Sequence, residues 1–96
     1  MKIIDKDRAQ FLKENKNALL ADLRTPVDYR DSHVDGSESL PFPRSFCNKI
    51  IGIDKKTPIV LISWTTRDDD VRLANNYAEQ LGFTKVHAIN YDVLSK

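Results

Sequence analysis

The sequence predicts an α/β fold in which a parallel sheet is covered by helices on both faces. Two apolar runs, Ala18-Leu19-Leu20-Ala21-Asp22-Leu23 and Ile59-Val60-Leu61-Ile62, lack polar alternation. That is the pattern of strands buried on two faces. The remaining strand and helix patterns alternate along the chain, which implies right-handed crossovers and a layered sandwich. The stretch from Ile59 to Phe83 organises the rest: a buried strand, a tight loop and an amphipathic helix, the usual place for such a fold to hold an anion or do chemistry.

In order, Lys2-Ile3-Ile4 reads as a short first strand. Asp5 or Asp7 can cap the following helix, which turns Ala9, Phe11 and Leu12 inward and breaks at Asn15-Lys16-Asn17. Ala18–Leu23 is the second strand, ended by Arg24-Thr25-Pro26. Pro26 suits the first position of a short helix through Asp31, because its missing N–H is one that no helix start can pair. His33-Val34-Asp35-Gly36 is a turn. Glu38-Ser39-Leu40-Pro41 is a short third strand that Pro41 confines to an edge or an end.

Pro43 opens a helix through Ile50 with Phe46, Cys47 and Ile50 inward, Ile51 at the margin of that stripe, and Gly52 as its stop. Asp54-Lys55-Lys56 is a solvated turn before the central strand Ile59–Ile62. On the next helix Leu73, Tyr77, Ala78 and Leu81 recur at spacings of three and four, and Gly82 ends it. Lys85–Ile89 is the last strand, with Val86 and Ala88 on one face and His87 on the other, near the surface. The seven residues after it are assigned no element.

Length and composition narrow the function classes. Ninety-six residues suit one domain, here 1–96, large enough for one core and too small for two. The net charge of +1, with acids and bases mixed, offers no basic face for nucleic acid. No apolar run approaches the roughly 18 residues of a membrane span, and no signal-peptide apolar region opens the chain. One cysteine excludes an internal disulfide and a Cys-rich metal site. The expectation is a cytoplasmic protein without cofactor, metal, membrane or nucleic-acid partner.

Leu20-Ala21-Asp22-Leu23-Arg24-Thr25-Pro26, Tyr29, His33-Val34-Asp35-Gly36-Ser37 and Leu40-Pro41 together resemble the opening signature of the rhodanese-like domain family. Ile59 to Ser63 and Leu81-Gly82-Phe83-Thr84-Lys85-Val86 resemble its later one. The resemblance implies a five-stranded parallel sheet in the order 1-5-4-2-3, with the active loop after strand four. It also makes Asp22 and Arg24 a buried pair bracing that loop, and His33 and Gly36 structural turn residues, with His33 bonding loop backbone.

The departures decide the function expected. Active members carry a cysteine after the fourth strand, then a loop whose backbone N–H groups cradle an anion; the resemblance puts Ser63 at the cysteine position. A serine hydroxyl cannot carry a persulfide, and no nearby histidine could activate it as a nucleophile. The expectation is a serine bonding backbone at the strand end. The loop Trp64, Thr65, Thr66, Arg67, Asp68, Asp69 contains no glycine, and Arg67 is its only cation. Thr66 and Asp69 fit a capping box that would place Asp68, Asp69 and Asp70 in the first helical turn, with Asp68 able to pair with Arg72. Carboxylates there compensate the helix dipole that an external anion would need.

Cys47, on an inward stripe, is expected to be an inert structural thiol, and it is the only alternative reactive one. Trp64 is either folded back over the helix ends or displayed as an anchor for a protein partner. Folding back is favoured by the apolar burial an exposed indole forgoes. The resulting expectation is a catalytically inactive homologue acting as a regulatory or protein-interaction module. The alternative is a sulfurtransferase that works through Cys47 or an atypical site.

Overall fold

The computed structural model describes Met1–Lys96. Five strands, β1 (Lys2–Ile3), β2 (Leu19–Asp22), β3 (Ser37–Ser39), β4 (Ile59–Ser63) and β5 (Val86–Asn90), form one sheet in the order β1-β5-β4-β2-β3. Every pairing is parallel. The helices are α1 (Lys6–Lys16), α2 (Pro26–Asp31), α3 (Arg44–Ile51), α4 (Asp69–Leu81) and α5 (Tyr91–Leu94). This is the five-stranded α/β architecture expected.

Alternation along β4 separates two cores. Ile59 and Leu61 face a cluster shared with Phe46 and Ile50 of α3 and Val71, Ala74 and Ala78 of α4. Val60 and Ile62 face Ala9 and Leu12 of α1 and Tyr91 and Leu94 of α5. All five residues of β4 are buried, so it is the central strand. Burial of each Ile or Leu side chain contributes about 1.5–3 kcal/mol.

Caps confirm the helix starts. Arg8 N–H donates to Asp5 Oδ1 at 2.8 Å, so Asp5 rather than Asp7 caps α1. Thr25 Oγ1 accepts from Asp28 N–H ahead of Pro26. Gly82, at φ 104°, closes α4 in the left-handed region, where a side chain would be strained.

The helix faces need correction. Phe11, Ile51 and Leu73 are exposed. On α1 the inward residues are Ala9 and Leu12, and Phe11 lies outside that stripe under the Arg8 guanidinium, 5.2 Å from its ring centre. On α4 the inward stripe is Val71, Ala74 and Ala78, with Tyr77 and Leu81 flanking it. Small residues let that helix lie close to the sheet, which turns the bulkier Leu73 away. Ile51 falls on the solvent side of the last turn of α3, while Cys47 is half-buried against the core. The seven C-terminal residues hold α5, whose Tyr91 and Leu94 close the second core.

Candidate functional site

β2 leads through α2 to β3 at one edge of the sheet, whereas β4 leads through α4 to β5 on the other side. Neighbouring strands that depart in opposite directions leave a crevice at their C-terminal ends, where α/β proteins bind ligands. Ser63 ends β4 there, and Arg24 follows β2.

Asp22 and Arg24 form the floor. Their side chains are each 1% exposed and meet at 2.9 Å. Arg24 Nε also donates to both Asp22 oxygens, and Arg24 Nη2 donates to the Ser32 carbonyl at 2.7 Å. Burial alone would lower the guanidinium pKa, but the hydrogen bond and charge of Asp22, helped by Tyr91 and Asp28, hold it above its ordinary value. The guanidinium lies 3.6 Å from the centre of the Tyr91 ring and 4.8 Å from that of Trp64. The two rings thus already have a cation of the protein's own against them.

Ser63 is 5% exposed. Its hydroxyl donates to Asp68 Oδ2 at 2.6 Å, so it bonds a carboxylate rather than the backbone expected. Thr65 N–H makes a long contact of 3.5 Å to the same oxygen. Thr66 N–H donates to Asn90 Oδ1 at 2.9 Å, Arg67 N–H to Thr65 Oγ1 at 3.2 Å, and Asp68 N–H to the Thr65 carbonyl at 3.1 Å. The amides from Thr65 to Asp68 are thus directed at the protein's own oxygens.

The capping box does not form. Asn90 holds Thr66 in the loop, Asp68 is the N-cap residue, and its carboxylate turns back to Ser63 instead of capping α4. Only Asp69 and Asp70 lie in the first turn. Asp68 does not pair with Arg72; Asp69 does so, at 3.5 Å between well-exposed groups, which contributes little.

Trp64 satisfies neither of the two expectations in full. It is 47% exposed, yet its indole Nε1–H donates to Asp28 Oδ2 at 3.1 Å, and Tyr91 meets it edge-on at 5.2 Å. It is anchored on one side and displayed on the other. Asp28, Asn90 and Tyr91 were not singled out from sequence. Asn90 ends a buried strand and Asp28 lies in the first turn of a short helix; the register Ser63↔Asn90 brings the first to the loop, and the Trp64 indole reaches the second.

The other candidates lie away from the crevice. His33 Nδ1 bonds the Tyr29 carbonyl at 2.7 Å and must be the protonated nitrogen, since a carbonyl only accepts; its ring stacks on Tyr29. Gly36 takes φ 84° in the turn before β3. Burial pushes the Cys47 thiol pKa up, away from the reactive thiolate. His87 is half-buried rather than superficial: its Nδ1 is enclosed without a partner, and burial, then Arg8, Lys2 and the N-terminal amine, hold its pKa below the ordinary value. No group of three or more His, Cys, Asp or Glu side chains is placed to hold a metal ion. No helix is long and apolar enough to cross a membrane.

Solved structures with the same fold include the Alr3790 protein of Anabaena sp., at TM-score 0.78 and 18% identity, covering 96% of this chain and 84% of that one. The solution structure of the rhodanese-like domain of Alr3790 gives 0.75 and 17%, covering 99% and 74%. The polysulfide-sulfur transferase homodimer of Wolinella succinogenes gives 0.67 and 21%, covering 93% and 67%. These likenesses establish the fold alone. No curated protein matches the sequence. The family profile described as "Rhodanese-like domain" matches residues 5–93, nearly the whole length, and the chain belongs to that family.

Proposed function

We propose that this domain does not transfer sulfur and serves as a regulatory or protein-interaction module, with Ser63 standing where active relatives place their cysteine. The observation that carries the reading is the Asp68 carboxylate, which accepts the Ser63 hydroxyl and faces the Thr65 amide. An internal carboxylate occupies the cradle that an external sulfur anion would need, and its charge would repel that anion. The displayed face of Trp64, held in place by Asp28, is the anchor offered to a protein partner. A cytoplasmic setting belongs to the same proposal.

A second reading, sulfur transfer through Cys47, has the likeness to the Wolinella transferase in its favour. The raised thiol pKa weighs against it. Incubation with thiosulfate followed by mass spectrometry separates the two: the module reading expects an unmodified chain and no turnover. A gain of about 32 Da on Cys47, together with transfer to an acceptor thiol, would establish the enzyme.

A further inference from the structure

The largest cavity in the molecule is not at the crevice. It has a volume of about 480 Å³ and lies between α1, the α2–β3 turn and α5. That is the size of a small-molecule site, for which about 300–1,000 Å³ is usual. Its apolar lining comes from the buried Leu20 and Leu94 and the half-buried Val34, with Ala9 behind them.

One wall is a stripe of α1 on which Lys6, Gln10 and Lys13 fall at spacings of four and three. Both lysines are half-buried, and neither is in an ion pair. The tip of Lys13 lies over Gly36, where an added Cβ would come within 2.6 Å of Lys13 Cε, at the edge of this cavity. Glu14 and Asp35, the acids of the lining, are exposed at the mouth, where water and salt screen them. Of the charged side chains in the lining, the two lysines are therefore the more enclosed.

We propose that this cavity is a binding site for a small amphipathic anion, with an aromatic or aliphatic body on Leu20, Val34 and Leu94 and a phosphate or carboxylate held by Lys6 and Lys13. Gln10 lies between the two lysines and can donate its amide to the same group. The opposite wall includes Ser32 and Tyr91, whose hydroxyls bond each other at 2.7 Å, and Tyr91 touches Trp64. Occupancy is thus within reach of the only tryptophan.

The test is titration of the ¹⁵N-labelled protein with phenyl phosphate, followed by amide correlation spectra. Saturable shifts are expected on residues 9–13, 34–35 and 94–95, with a dissociation constant in the millimolar range or tighter. Phenol and inorganic phosphate, each lacking one half of the probe, should bind more weakly. Lys6→Met and Lys13→Met should each weaken binding by about fivefold, in variants whose spectra remain those of the folded protein. Absence of saturable shifts, or equal affinity in the double lysine variant, overturns the site. Saturable shifts on residues 63–68 instead would overturn it and would also show the crevice loop to be open to anions, against the function proposed above.

Discussion

The crevice above β2 and β4 and the groove between α1 and α5 are both places where this fold could accept a ligand, and the chain treats them in opposite ways. In the crevice, Arg24 is matched by Asp22 and two aromatic rings, and the loop hydroxyl and amides by Asp68, Asn90 and Thr65. In the groove, Lys6 and Lys13 face a cavity without partners. The concave shape of a site therefore says less about its availability than whether its donors are already answered. A matched set contributes to stability, and an unmatched set is free to bind.

Breaking the floor of the crevice should have the largest effect. Arg24→Leu leaves Asp22 as a buried charge without a counter-ion and should cost about 3–5 kcal/mol in urea unfolding. The double variant Arg24→Leu with Asp22→Asn should recover a large part of that loss. If the single variant lost under 1 kcal/mol or so, the pair would not be the brace that its burial implies.

Trp64→Ala comes next. Half of its surface is already in water, so the cost should be about 1–2 kcal/mol, below the 3–5 of a fully buried aromatic. Acrylamide should quench the indole emission of the unaltered protein readily. A cost in the core range with protected emission would make Trp64 a plug and remove the best anchor of the proposed interaction surface.

The smallest effect is the pH dependence contributed by His87. Its folded-state pKa lies below 6.5, so on acidification the unfolded chain takes up the proton first. Its contribution to stability is complete above about pH 6.5 and is lost as pH falls from there toward the folded-state value. Comparing the pH profiles of the unaltered protein and His87→Gln should show a shallower decline in the variant across that window. Identical slopes would mean that the enclosed Nδ1 is not the responsible group.

The strands were legible in the sequence because double burial leaves unbroken apolar runs, as in Ile59–Ile62 and Ala18–Leu23. The helix faces were less so. Phe11, Ile51 and Leu73 look inward by size and are exposed; Ala9 and Ala78 were expected inward and are, but Val71 and Ala74 complete the inward face of α4 in place of Leu73. The four residues of α5 are too few to show a period. At the site, Asp22 and Arg24 were legible through the family resemblance, which implies a buried pair there, and their closeness in the chain lets them meet directly. Asn90 meets Thr66 across 24 residues and Asp28 meets Trp64 across 36, contacts that only the strand order brings together. The acidity of the loop was visible, but not that Asp68 would turn inward to Ser63 while Asp69 and Asp70 stay at the helix start.

The most direct test of the matched crevice is the rate of sulfur transfer from thiosulfate after the loop is re-equipped in two steps. Ser63→Cys alone should restore little activity, because the new thiol faces the Asp68 carboxylate, which opposes thiolate formation, and the loop amides remain taken. Replacing residues 65–69 by an active-type, glycine-containing loop together with Ser63→Cys should raise the rate markedly. A Ser63→Cys variant that matched an ordinary member of the family without any change to the loop would contradict the claim that the protein's own carboxylate closes this site.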